Sequence, residues 1–418
     1  MTGRYKAYPE YKESGVEWLG AIPKCWIVKK LKYLCQVQTG SRDTVNAVDN
    51  GKYPFFVRSQ TVERINTVGA ECEAVLTAGD GVGVGKVYHY FNGKFDYHQR
   101  VYMLNNFHNV SGRFVYYYLS SNFYKVAMEG NAKSTVDSLR LPQFLNFEFS
   151  LPLIEVQNKI VNFLDHETAK IDTLITKQEK LIELLKEKRQ AVISHAVTKG
   201  LNPDVPMKDS GVEWLGEVPE HWDMKRLKYL GEAKNGLTYS PDDVVSQEEG
   251  VLVLRSSNIQ DAKLSFTDNV YVDMDIPSRI RTKENDLLIC SRNGSRKLIG
   301  KNALITKEAV DMAFGAFMVI FRSEVNPYLY WVLNSPLFEY QSGSFLTSTI
   351  NQLTIGNLEG MEVPLPPKNE QEDIKAYLIN KTIKFDQLIN KAVYKVKLLN
   401  ERKTALISAA VTGKIDVR

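Results

Sequence analysis

From Glu155 to Lys199 the chain holds neither proline nor glycine, and its apolar residues recur at a helical period. Ile160, Leu164, Ile171, Leu174, Leu181, Leu185 and Val192 follow one another at spacings near three and four, the seam of a coiled coil or of a long amphipathic helix. Ile175, Ile182 and Leu184 widen that stripe, while lysine and glutamate alternate on the outer faces. A second helix over about 368–412 repeats the pattern with Ile374, Leu378, Phe385, Leu388, Leu399 and Leu406, although Lys395 stands where Leu181 does and Val396 lies beside it. Gly200 and Gly413 supply the stops. At about 1.5 Å per residue, each helix makes a rod of roughly 65 Å. A lone striped rod is unstable in water, so the expected partner of each helix is the other. A pseudo-twofold relation between the two halves of the chain would make the pair antiparallel.

Between the helices the period changes. YPFFVR (53–58), KVYHYF (86–91), RVYMLN (100–105), VLVLR (251–255), DLLIC (286–290) and AFMVIF (316–321) read as short strands. RFVYYYLSSNFYKVAM (113–128) and YLYWVLNSPLFEYQ (328–341) read as helices, and LNPDVPMKDSG (201–211) as a linker. The expected class is therefore α+β, with two mixed α/β domains and two long helices. The boundaries fall at 1–150, 151–200, 201–364 and 365–418.

The halves are copies. ESGVEWLGAIPKCWIVKKLKYL (13–34) and DSGVEWLGEVPEHWDMKRLKYL (209–230) agree at fourteen of twenty-two positions. Residues 151–198 and 365–412 agree at twenty of forty-eight, ending in AVISHAVT and ALISAAVT. The inserts between these frames diverge, most of all over 35–110 and 231–320. Two like frames with unlike inserts suggest one geometry that reads two things. Joining VTGKIDVR at one end to MTGRYKAYPEYKESGVEWLG at the other would regenerate the linker, which places the termini together and each long helix against the opposite insert. Trp18, Trp26, Trp214 and Trp222, at matched frame positions, read as packing anchors, as do Tyr116–Tyr118 and Tyr330–Trp331.

Composition narrows the class only a little. Of 418 residues, 44% are hydrophobic and 24% charged, ordinary for a globular protein, and the net charge is +4. Such a balance gives weak support for a nucleic-acid partner, since local patches decide binding. No secretory signal is visible and no run of about eighteen apolar residues occurs, so a cytoplasmic protein without membrane contact is expected. Cys25, Cys35, Cys72 and Cys290 have no metal-ligand spacing.

Catalytic motifs fail one by one. Asn326-Pro327-Tyr328-Leu329 lacks the second proline of an NPPY-type amino-methyltransferase tetrapeptide and reads as a helix start. Gly85-Lys86 is followed by Val87, and Asp80 stands where a phosphate loop needs glycine. GDGVGVGK (79–86) is instead a turn whose backbone can approach a ligand. Pro241-Asp242 with Asp261 and Lys263 matches a metal-nuclease pattern in letters, without a counterpart in the other half. No metal site is expected.

The polar clusters suited to reading DNA are Arg58, Ser59, Gln60 and Thr61; Lys86 and His89; His98, Gln99 and Arg100; and Lys133, Ser134 and Thr135. The second insert offers Arg255, Ser256, Ser257 and Asn258; Arg292, Asn293, Ser295 and Lys297; and Thr347, Ser348 and Thr349. Arg58 and Arg255 read as equivalent strand-end positions. The alternative is that these are solvated loops, and a scaffold without a DNA role or a metal nuclease stands as a rival reading.

The repeated SGVEWLGxxPxxW…LKYL, the openings Leu151-Pro152…Gln157…Ile160…Leu164 and Leu365-Pro366…Gln371…Ile374…Leu378, and the AVISHAVT and ALISAAVT endings resemble the specificity subunits of type I restriction-modification systems across essentially the whole chain. The resemblance implies two target recognition domains, each reading one half of a bipartite double-stranded DNA site and held apart by antiparallel coiled-coil helices. It implies a chain that is itself non-catalytic and binds no cofactor. Its partners would be two modification subunits that methylate adenine with S-adenosylmethionine, and restriction subunits that translocate and cleave DNA with ATP and Mg. A rival reading makes the chain the recognition half of a split methyltransferase-nuclease that lacks separate motor subunits.

Overall fold

A computed structural model describes residues 5–127, 139–212, 215–345 and 352–418. Two compact units divide the chain: Met1–Glu179 with Val393–Arg418, and Lys180–Ala392. The division runs through both long helices, not at their ends, because each half-helix is built into a domain core.

In the first unit a six-stranded sheet runs in the order Gln36–Thr39, Val101–Asn105, Ala70–Ala78, Tyr88–Tyr97, Tyr53–Phe56, Glu63–Ile65. All its pairings are antiparallel except Tyr53–Phe56 with Tyr88–Tyr97. The sheet is covered by the helix Gly112–Asn122, whose Phe114, Val115, Tyr118 and Leu119 are buried. The expected helix over 113–128 breaks at Phe123 into Gly112–Asn122 and Tyr124–Ala127.

The second unit splits the equivalent sheet in two. One runs Glu232–Asn235, Met318–Arg322, Leu287–Cys290, Asn302–Leu304; the other Val244–Val245, Tyr271–Val272, Val251–Leu254, Ala313–Phe314. Its covering helix is Asn326–Leu333, and Pro336–Phe345 follows after a break where sequence suggested one element. Asn326-Pro327-Tyr328 has a structural job. Asn326 is fully buried and donates to the carbonyls of Asn285 and Phe321 at 2.9 and 2.8 Å. The Tyr328 hydroxyl donates to Pro364 at 3.0 Å.

The long helices are Ile154–Lys199 and Lys368–Val411. The repeated Leu-Pro…Gln opening is a local cap. Gln157 Nε2 donates to the Pro152 carbonyl at 3.0 Å, and Gln371 Nε2 to the Pro366 carbonyl at 2.8 Å, so each glutamine ties down the turn that launches its helix. Inside the first unit, Ile160, Leu164 and Ile171 share a core with Leu399, Leu406 and Val411. Inside the second, Ile193 and Val197 share one with Ile374 and Leu378. In both, the start of one helix lies along the end of the other, so the pairing is antiparallel. Each fully buried leucine contributes about 1.5–3 kcal/mol.

The seam is not closed along its whole predicted length. Leu164, Ile171, Leu378, Leu399 and Leu406 are buried; Leu185, Val192 and Phe385 are half-buried; Leu174, Leu181 and Leu388 are exposed. A single neighbouring helix covers a narrow strip, and only where a domain core adds a second wall does the wider stripe find cover. Leu184, Ile379 and Ile383 are left on the surface for the same reason.

The two ends of the chain meet inside the first unit. Asp416 N–H donates to the Lys6 carbonyl at 2.8 Å, and the Tyr11 hydroxyl to the Gly413 carbonyl at 3.1 Å. Gly413 has φ +73 and packs on Pro23, where a Cβ would clash, and beside Trp26; Gly200, with φ +76, sits close on Trp222. The linker thus does in one unit what the joined termini do in the other. Trp26 and Trp222 are buried anchors. Trp214 lies outside the described residues.

Candidate nucleic-acid interface

In the first unit the sequence-predicted readers converge on one end of the sheet. The Gly79 N–H donates to the Arg100 carbonyl at 2.9 Å and ties the glycine-rich 79–86 turn to the strand Val101–Asn105. Asp80 then accepts from Arg58 Nη1 at 2.8 Å and from Arg100 Nη1 at 3.0 Å. One carboxylate therefore aims two guanidiniums and leaves an excess positive charge. Gln60 Nε2 donates to the Lys86 carbonyl at 3.4 Å, the Ser59 hydroxyl to Thr61 at 2.9 Å, and His89 Nε2 lies 3.0 Å from the Ser59 carbonyl. Burial lowers the His89 pKa. Ser59, Gln60, Thr61, Lys86, Gln99 and Arg100 are exposed.

His98 does not belong among the readers. It is 2% exposed, its Nδ1 accepts the Arg100 N–H at 2.9 Å, and burial holds its pKa below the ordinary histidine value. It positions Arg100. Sequence reasoning missed Arg42 and Asp43. Arg42 Nε lies 3.4 Å from Asp96, and Asp43 accepts from Gln99 at 2.7 Å at the same end of the sheet. The polar run Ser41–Thr44 after the strand Gln36–Thr39 was the available signal.

The second unit gathers its clusters likewise. Asn293 Nδ2 donates to Ser256 Oγ at 3.2 Å, and Lys301 Nζ to the Ser256 carbonyl at 3.1 Å. Arg255 pairs with Asp268 at 3.0 Å. Arg292, Ser295 and Lys297 are exposed. Asn258 is fully buried and clamps the 255–269 loop through Arg255 N–H and the carbonyls of Ser265 and Asp268, so it is a loop anchor and not a reader. Ser257 Oγ is also buried. Lys133, Ser134, Thr135, Thr347, Ser348 and Thr349 lie outside the described residues.

Sheet register matches the two units residue by residue. Phe314 pairs with Leu254 as Tyr97 pairs with Phe56, and Leu237 bridges Gly315 as Arg42 bridges His98. Cys290 pairs with Met318 as Ala78 pairs with Val101. The register makes Arg100 equivalent to Phe317, Asp80 to Arg292, Arg58 to Ser256, Arg42 to Leu237 and Asp96 to Ala313. The expected match of Arg58 with Arg255 is off by one: Arg255 is level with the buried Val57. Arg42, Arg58 and Arg100 are all replaced, and the Arg42–Asp96 pair becomes an apolar Leu237–Ala313 pair in a small core.

Two residues of the loose nuclease pattern have local partners. Asp242 sits in a 3₁₀ turn capped by Ser240, and Lys263 Nζ lies 3.5 Å from Asp386. Among the described residues no three His, Cys, Asp or Glu side chains are grouped to hold a metal ion. No described helix is long and apolar enough to cross a membrane.

Two copies of one frame with unlike outward residues define a class, and family comparison agrees. Residues 23–184 and 219–394 each match the type I restriction modification DNA specificity domain, so the chain belongs to that family. It is 24% identical over 433 residues to the type I restriction enzyme EcoDI specificity subunit of Escherichia coli, covering 96% of this chain and 90% of that protein. It is 25% identical over 310 residues to the MjaVIII specificity subunit of Methanocaldococcus jannaschii, covering 72% and 69%. A chain solved in work on complex assembly and conformational transition of the type I R-M system superposes with a TM-score of 0.71 at 14% identity, over 93% of this chain and 98% of that one. The likeness is one of fold.

Proposed function

We propose that this chain is the non-catalytic DNA specificity subunit of a type I restriction-modification complex, each unit reading one half of an asymmetric bipartite target. The observation that carries the reading is the register match: Arg58, Asp80 and Arg100 on one frame against Ser256, Arg292 and Phe317 on the other. A frame kept constant while its outward residues change is what two different half-sites require. Each good base contact is worth about 1–3 kcal/mol, so a half-site of a few base pairs discriminates weakly and two multiply.

In this reading the helices set the spacing and dock two modification subunits. The exposed Leu181, Leu184, Ile379, Ile383 and Leu388 support such docking, because an apolar stripe on a water-facing helix gains by burial. S-adenosylmethionine, ATP and Mg belong to the modification and restriction subunits, and the complex works in the cytoplasm. Methylation mapping of genomic DNA from cells carrying the assembled complex returns both half-sites and the gap. Replacing residues 35–150 by another insert changes one half-site and leaves the other. A change in both halves, or in neither, overturns the reading.

A further inference from the structure

We infer that Phe317 reads the 5-methyl group of a thymine in the half-site of the second unit, at the frame position where the first unit presents the guanidinium of Arg100. The inference rests on the function proposed above.

Phe317 sits on the turn between Ala313–Phe314 and Met318–Arg322, and its carbonyl is held by three donors. Its carbonyl accepts from the Ser291 N–H at 3.0 Å, the Arg292 N–H at 3.2 Å and the Ser291 hydroxyl at 3.0 Å. The Met318 N–H closes the turn on Gly315 at 2.8 Å. Yet the ring is 59% exposed, while its neighbours Phe314 and Met318 are in the core. A single exposed aromatic says little by itself. This one is rigidly mounted, lies beside the exposed Arg292, and occupies the place of a polar residue, Arg100, in the sister unit.

Arg292 decides what the ring can do. Its guanidinium lies 5.3 Å from the ring centroid. With one face covered, the ring presents an edge and a single free face. Such a ring cannot be sandwiched between two base pairs, as an unstacking wedge must be. It can press against a group that projects from a base edge. In the major groove the only apolar projection is the thymine methyl, and phenylalanine is one of its ordinary partners. The first unit has no such option. Arg100 is locked to Asp80 and offers hydrogen-bond donors instead.

The test uses the full chain assembled with its modification subunit on the mapped target. Each thymine of the second half-site is replaced singly by deoxyuridine, which removes only the methyl, and Kd is measured. One replacement should weaken the wild-type complex roughly fourfold, the scale of burying one methyl group. Phe317→Ala should bind the thymine duplex about tenfold more weakly and be indifferent to that same deoxyuridine. Phe317→Leu should recover part of both. Thermal melts of the variants check folding, which an exposed ring should not disturb. Phe317→Ala responding to every deoxyuridine as the wild type does overturns the inference. So does a 2-aminopurine reporter that brightens at the site with wild type but not with Phe317→Ala, because that is the signature of a wedge. Intact target preference with no methyl-sensitive position sinks the Phe317 assignment alone. Absence of any target preference in the wild-type complex sinks the functional reading itself.

Discussion

Lys403 donates to both carboxylate oxygens of Asp172, at 2.7 and 2.8 Å, and the same pair recurs with the helices exchanged: Arg189 donates to Asp386 at 3.1 Å. Each pair lies inside its own unit, so the duplication is written into the helix contact itself. The ion pairs set register more than they stabilise. All four side chains are partly exposed, and such pairs contribute about 0–1 kcal/mol. Leu164 and Leu378 are fully buried. Leu378→Ala is therefore expected to destabilise the second unit by about 2–5 kcal/mol. Asp386→Ala should do so by less than about 1 kcal/mol. Urea denaturation compares them, and an ion-pair variant as damaging as the leucine variant would reverse this ranking.

Asp80 restrains two arginines at once, and its removal tests what that restraint is for. Asp80→Asn leaves Arg58 and Arg100 without their shared counter-charge. Extra unpaired cations strengthen phosphate binding on any sequence, while freed side chains lose their aim. Affinity for scrambled DNA should rise a few-fold at low salt, and preference at the first half-site should fall. Competition binding at two salt concentrations reads both, and the second half-site serves as the internal control.

Much of this was legible in the chain. The long helices announce themselves because a helical stripe without Gly or Pro over forty-odd residues has no other stable form. The strand Ala70–Ala78 was not legible. Ala70, Cys72 and Ala74 alternate with Glu71 and Glu73, but through small or acidic residues of low strand propensity, and the alternation stops at Val75 and Leu76, where the strand enters the core. The grouping of polar clusters shows in residue type and position after strands, but their equivalence does not. Arg255 falls one residue short of the Arg58 position, and a one-residue shift exchanges the two faces of a strand, which only cross-strand pairing reveals. Phe317 carried no signal at all, since AFMVIF gives no reason why Phe317 turns outward while Met318 turns in.

Acid should loosen the first unit. Burial lowers the pKa of His98, and of His89 nearby, below the unfolded value of about 6.5. The unfolded chain then takes up the proton more readily than the folded one, so stability is full above about pH 6.5 and falls as pH drops below it. His98→Asn keeps an acceptor for the Arg100 N–H and removes the titration. Its melting temperature should fall less steeply than that of the wild type between about pH 7 and 5. Equal slopes would assign the acid sensitivity to other groups.

Asn326 offers the sharpest separation of a structural role from a catalytic one. Its amide holds two carbonyls together in a fully buried setting, in a stretch that partly resembles a methyltransferase tetrapeptide. Asn326→Ala removes both donated bonds and should destabilise the second unit by about 1–3 kcal/mol. Asn326→Asp should be worse, since it sets a carboxylate against the same two carbonyl oxygens. Neither change touches chemistry if the chain only reads DNA. At a temperature where the alanine variant is folded, the assembled complex should methylate the mapped sites at the wild-type rate. A folded Asn326→Ala complex that binds its target but no longer methylates would place part of the reaction in this chain.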